Sequence, residues 1–130
     1  MNRVVMVLLS LGLWASAQSS LADEAVISSL MERYRAAGAD QPDAARGEAL
    51  WKRKHGERSC ETCHGSDLGR PGKHARTGKR IEAMAPSVNP QRLSKARKIE
   101  KWFLRNCKWT LGRECSAREK ADILAWLKQQ

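Results

Sequence analysis

Cys60-Glu61-Thr62-Cys63-His64, near the middle of a 130-residue chain, decides how the rest is read. It matches C-x-x-C-H, the attachment motif of a c-type haem. Two thiols three positions apart lie on one turn of helix and can add to the two vinyl groups along one edge of a porphyrin. The next residue then places an imidazole under the iron as proximal ligand. The same spacing also occurs in zinc sites, in thioredoxin-like redox pairs and by chance. A zinc site would take its further ligands from Cys107, Cys115, His55 or His74, but no second closely spaced cysteine pair exists. A redox pair normally follows a strand in an α/β pattern, and this sequence shows no strand pattern. Covalent haem, one haem c, is the reading left.

Working outward, Ala44, Gly47, Leu50 and Trp51 fall on one face of a helix that Asp40 or Asp43 can cap, with Pro42 in its first turn. Gly47 is costly inside a helix, by about 1 kcal/mol, and a common reason for such a glycine is close approach of a second helix. Further upstream, Val26, Ile27, Leu30, Met31 and Tyr34 make an apolar face over Asp23–Ala37, and Gly38 ends that helix. Downstream, Gly65 to Pro90 is broken by Gly69, Pro71, Gly72, Gly78 and Pro86. So long a loop in so small a domain suits a chain that wraps the edge of a haem. A third helix follows from Arg92 to about Lys108, with Leu93, Ala96, Ile99, Trp102 and Phe103 as its stripe. Lys95, Arg97, Lys98 and Lys101 lie opposite. The last helix opens with a capping box, Ser116 and Glu119, and carries Ile123, Leu124, Trp126 and Leu127. The fold class is therefore all-α.

Met1 to about Ala22 reads as a secretory signal: Arg3 at the start, an apolar run from Val4 to Trp14, then small residues. Cleavage falls after Ala17 or Ala22, and the second leaves a haem domain of residues 23–130. A retained membrane anchor is the alternative, but the apolar run is short for a bilayer span. The formal net charge is +10, and only Arg3 of the charged residues lies in the signal. Export to an oxidising periplasm argues against nucleic acid as the partner of so basic a surface. An acidic protein partner steered by charge fits better, with solubility as the plainer explanation.

The sixth iron ligand separates the functions. A strong one makes a closed electron carrier, and a weak or absent one makes a gas-binding or reactive iron. Met84, followed by Ala85-Pro86, is the first candidate; otherwise it is a flexible core filler. His55 and His74 stand in charged stretches that should be exposed, and Lys73 and Lys79 are weaker candidates. Asn106 lies three, four and seven residues after Phe103, Trp102 and Ile99, on the face expected to look inward. A buried amide needs a partner, which an iron can supply; a helix-ending Asn is the alternative.

The helix with Gly47 and Trp51, the motif, the loops and the final helix with Trp126 together resemble a class I cytochrome c. Three further stretches carry a more specific resemblance: Thr77-Gly78-Lys79-Arg80-Ile81-Glu82-Ala83-Met84-Ala85-Pro86-Ser87-Val88-Asn89-Pro90, Lys101-Trp102-Phe103-Leu104-Arg105-Asn106-Cys107 and Gly112-Arg113-Glu114-Cys115. From about residue 44 to the C-terminus the chain is similar to the Sphaeroides haem protein (SHP) family of high-spin monohaem cytochromes c. The resemblance implies a class I-like fold, here with an extra N-terminal helix. It implies a distal Asn directly before the first of two later, paired cysteines: Asn106 as ferric ligand and a Cys107–Cys115 disulfide. It also implies oxygen or nitric oxide binding by the reduced protein, and electrons from a dihaem or membrane b-type cytochrome. Two other functions stand beside this one. The first is an ordinary low-spin carrier ligated by Met84. The second is an enzyme turning over oxygen, peroxide or nitric oxide, for which no distal acid–base residue is evident.

Overall fold

The computed structural model describes the backbone of residues 15–130 and the side chains from Asp23 onward. The expected signal sequence lies largely outside the described residues. Helix α1 spans Ala15–Ala36, α2 Ala44–Lys52, α3 Glu61–His64, α4 Ala96–Leu111 and α5 Ala117–Leu127. Both expected cleavage points therefore fall within the backbone of α1, which starts before Asp23.

The crossing of α2 and α5 sets the frame. Asp43, not Asp40, caps α2: its carboxylate accepts from the N–H groups of Ala45 and Arg46, so Pro42 precedes the cap. A Cβ on Gly47 would come within 2.0 Å of the carbonyl oxygen of Asp122, so the backbones touch where the glycine implied another helix. Asp122 itself is buried and ties the two helices, accepting from the Asp43 N–H at 2.7 Å and from Arg46 Nε at 2.8 Å. Trp51 packs against Trp126 at a tilt one turn further along.

Helix α1 packs Ile27, Leu30 and Tyr34 against this pair. Tyr34 donates to Glu100 of α4 at 2.8 Å, and Lys120 of α5 meets the same carboxylate at 2.9 Å. Three helices thus share one buried-edge ion pair. Ser116 and Glu119 form both bonds of the capping box at the start of α5. Arg113 adds a bidentate pair that, as the main cause, holds Glu119 down to about 2.

The third helix begins later than the pattern suggested, at Ala96, because Leu93 turns the chain with φ +61°. Such a conformation costs an L-residue roughly 1–2 kcal/mol. Burial of the Leu93 side chain, 8% exposed, offsets it. The helix also runs on past Lys108 to Leu111, where Gly112 at φ +72° supplies the left-handed cap. The long loop is not wholly irregular: β1, Gly72–Lys73, pairs antiparallel with β2, Arg80–Ile81. Two-residue strands leave no alternating pattern to read. No described helix is long and apolar enough to cross a membrane.

Candidate haem-attachment site

The approach to the motif is fixed by the backbone. After α2 the chain turns tightly, with the His55 N–H donating to the Arg58 carbonyl at 2.7 Å across Gly56, φ +63°. The Cys60 N–H then donates to the carbonyl of Trp51 at 3.2 Å. Ser59 and Thr62 exchange backbone and hydroxyl bonds that start the one-turn helix α3. His64 N–H closes the turn on Cys60, and Gly65 at φ +77° ends it.

This places both thiols and the imidazole on one short turn. Cys60 and Cys63 are free and partly buried. Burial pushes the Cys60 thiol up to about 11. His64 is pushed down to about 4, by burial first and by the nearby Arg92 guanidinium second, so its ring is neutral at ordinary pH. Its Nδ1 is buried without a partner among the described residues, and its ring packs on Trp51 at 5.1 Å between centroids. A neutral imidazole keeps one nitrogen lone pair available for a metal. The loop lies directly on this turn: a Cβ on Gly72 would stand 2.1 Å from the Cys63 carbonyl oxygen and 2.8 Å from His64 Cα.

The other candidates scatter. Met84 is half-buried against the core, its N–H held by the Leu68 carbonyl at 2.9 Å. His74 is partly buried, and its Nδ1 accepts from the N–H groups of Arg76 and Thr77, so it braces a turn. The charged stretch around His55 predicts exposure; instead its Nε2 is buried, without a partner among the described residues, in a cleft with Arg58, Trp109 and Thr110. Lys73 and Lys79 are exposed.

The stripe on α4 divides. Ile99, Cys107 and Thr110 are buried and Phe103 partly so, whereas Trp102, 43% exposed, and Asn106 lie at the open edge of that face. The centre of the helix contact runs through Ile99, Phe103 and Cys107, and a full helical stripe is wider than the strip that protein covers. Asn106 therefore does not look into the protein core, as periodicity implied. The Cys107 and Cys115 sulfurs stand at bonding distance, 1.95 Å, with Cα atoms 5.5 Å apart. At that distance Cys107 and Cys115 face each other and not the Cys60–Cys63 turn, which a zinc site would have needed.

A family model described as "Domain of unknown function (DUF1924)" matches residues 37–127. The chain is 43% identical over 116 residues to cytochrome c-type protein SHP of Cereibacter sphaeroides, covering 85% of this chain and 89% of that protein. The chain belongs to the SHP family of c-type cytochromes. The solved structure of oxidised SHP, described as an oxygen-binding cytochrome c, superposes with a TM-score of 0.73 at 44% identity, covering 80% of this chain and 96% of that one. The solution structure of cytochrome c'' from Methylophilus methylotrophus, solved to address haem-ligand detachment in that protein, gives 0.70 at 29% identity, covering 85% and 94%.

This SHP-family member is thus a monohaem c-type cytochrome with an all-α, cytochrome c-like fold, and its cofactor is covalent haem c. Its own residues fit that group. Two unpaired thiols and a neutral imidazole occupy a single helical turn, which is the donor set thioether attachment and axial ligation need. The glycine-to-backbone contact at Gly72 shapes the loop closely around that turn.

Proposed function

We propose that this protein is a periplasmic, largely high-spin cytochrome in which Cys60 and Cys63 hold the haem, His64 is the proximal ligand and Asn106 is the distal ligand of the ferric form. Residues 1–22 are then a cleaved export signal and residues 23–130 the working domain. Haem supplies an iron that carries one electron and offers an axial position to a diatomic ligand. An amide oxygen is a hard donor that suits ferric iron better than ferrous. Asn106 accordingly lets go on reduction, and oxygen or nitric oxide takes its place.

The observation that carries this reading is the position of Asn106. It sits at the edge of the α4 face that includes Ile99 and Phe103, directly before Cys107, and its amide makes no hydrogen bond to any described residue. Pairing of Cys107 with Cys115 limits how far that amide can wander. The electron arrives from another cytochrome, dihaem or membrane b-type, with an acidic face. Arg97, Lys98, Lys101 and Arg105 support this: all are exposed on α4 and none has an ion-pair partner among the described residues.

Visible spectra of the ferric and ferrous protein, with and without carbon monoxide, test the reading. The ferric form is expected to be mainly high-spin, without the long-wavelength band of a Met–iron bond, and the ferrous form to take up carbon monoxide rapidly. Asn106→His is expected to turn ferric iron low-spin, while Met84→Ala leaves the spectrum unchanged. The reverse pattern would make Met84 the ligand and the protein an ordinary electron carrier.

A further inference from the structure

The proximal side holds an aromatic chain that haem attachment does not require. The His64 ring lies 5.1 Å from Trp51 at an interplanar angle of 38°, and Trp51 lies 5.5 Å from Trp126 at 56°. Both spacings are within the range at which aromatic rings touch. The two indoles differ in surroundings. Trp51 is 5% exposed and its Nε1–H is buried without an acceptor among the described residues. Trp126 is partly exposed, on the last turn of α5. We propose that Trp51 and Trp126 are a relay through which an electron moves from the protein surface to the His64 side when the iron meets a peroxide. This rests on His64 being the proximal ligand.

The burial pattern gives the relay its direction. An indole that loses an electron becomes strongly acidic at its N–H. Trp51 is enclosed and Trp126 partly exposed, so an oxidised Trp51 recovers its electron from Trp126, the ring nearer the surface. Trp126 is partly exposed, and its proton leaves to solvent. The step balances. Hydrogen peroxide would take up two electrons and two protons to give two waters, one proton matching that released by Trp126 and the other drawn from solvent. One electron would be that of the ferrous haem iron held by Cys60, Cys63 and His64. The other comes from Trp126 by way of Trp51, and Trp126 is left as a neutral indolyl radical after giving its proton to water. The oxidising equivalent then sits at the surface, away from the porphyrin, where an external reductant can remove it. A site that opens to small oxidised ligands has particular use for such an exit.

The experiment mixes the ferrous holoprotein with hydrogen peroxide in the presence of a nitroso spin trap and locates the trapped radical by peptide mass mapping. The native protein is expected to carry the adduct on Trp126. Trp51→Leu is expected to lose that adduct and to bleach its haem faster. Trp51→Phe, which keeps a ring in the crossing but is much harder to oxidise, is expected to do the same and guards against a folding defect in the Leu variant. Persistence of the Trp126 adduct in both Trp51 variants would overturn the relay, as would a native protein trapped only at other residues. The assay separates this from the ligand assignment. A closed iron slows peroxide consumption but leaves the adduct position readable at longer times. Loss of the His64 bond shows in the visible spectrum before peroxide is added.

Discussion

Gly47→Ala tests how the helix frame holds the haem turn. In most exposed helices this change would stabilise by up to about 1 kcal/mol. Here the new methyl would stand 2.0 Å from the Asp122 carbonyl oxygen, 2.5 Å from its carbon and 2.9 Å from the Ile123 nitrogen. All three are backbone atoms in the middle of α5, so no side chain can swing aside. Ordinary contact requires α5 to withdraw by about 1.4 Å, and overpacking of this kind costs roughly 1–3 kcal/mol. Withdrawal also pulls the Asp122 carboxylate from the Asp43 N–H and from Arg46, bonds to a charged acceptor of about 1.5–3 kcal/mol. The net expectation is a loss of about 2–4 kcal/mol, or a fall in Tm on the order of 10–25 °C for a domain of this size. Thermal unfolding read by far-UV circular dichroism and by haem absorbance measures it. The haem band should also shift in the folded variant, because Trp51 lies one turn beyond Gly47 and touches His64. A Gly47→Ala protein as stable as the native one would refute the backbone contact and the reasoning built on it.

Glu119→Gln should cost about 1 kcal/mol at neutral pH, since it removes the carboxylate that Arg113 pairs with while its amide oxygen can still accept from the Ser116 N–H. Glu119 is held below its ordinary value, to about 2, so its contribution is complete above about pH 5. As pH falls through 2 that contribution is lost; denaturation curves of the two proteins should converge there, and a constant gap would contradict the assignment. Alkylation under denaturing, non-reducing conditions should leave Cys107 and Cys115 unmodified, and reduction should cost about 2.5 kcal/mol from loop entropy; two alkyl groups on the untreated protein would disprove the pairing. Reduction by an acidic donor cytochrome should slow steeply as salt rises, because exposed charges are screened beyond roughly 10 Å at 0.1 M; a rate indifferent to salt would leave the α4 cations a solubility role only.

Local chemistry made part of this fold legible. Gly47 announced a helix crossing because a glycine in a helix needs a reason, and Ser116 with Glu119 announced a helix start because the two bonds need that spacing. Features that depend on distant partners were not legible. Asp122 looks like a solvent-facing residue of α5, and only Asp43 and Arg46, brought across by the crossing, make its burial tolerable. Leu93 continues an apolar stripe in sequence, yet the chain bends there because Arg92 is drawn back to the carbonyls of Glu82 and Ala83. The charged neighbours of His55 predict a solvent-facing side chain, while the turn from His55 to Arg58 folds it toward Trp109.

The candidate site shows the same division. The five-residue motif carries its chemistry locally, since one helical turn fixes two thiols and an imidazole whatever surrounds them. Ligand choice on the opposite face is not local. Periodicity puts Asn106 with Ile99 and Phe103, but a face is an angular range, and packing alone decides which part of it protein covers. On α4 that covered part ends between Cys107 and Asn106. Met84, by contrast, is held by core contacts and by the Leu68 carbonyl, and Arg92 clamps the two carbonyls just before it. Its segment is anchored by the Arg92 side chain on one side and by the Met84 and Ala85 N–H groups on the Leu68 carbonyl on the other. Asn106, whose amide has no partner among the described residues, is the side chain we propose as the weak ligand that leaves on reduction.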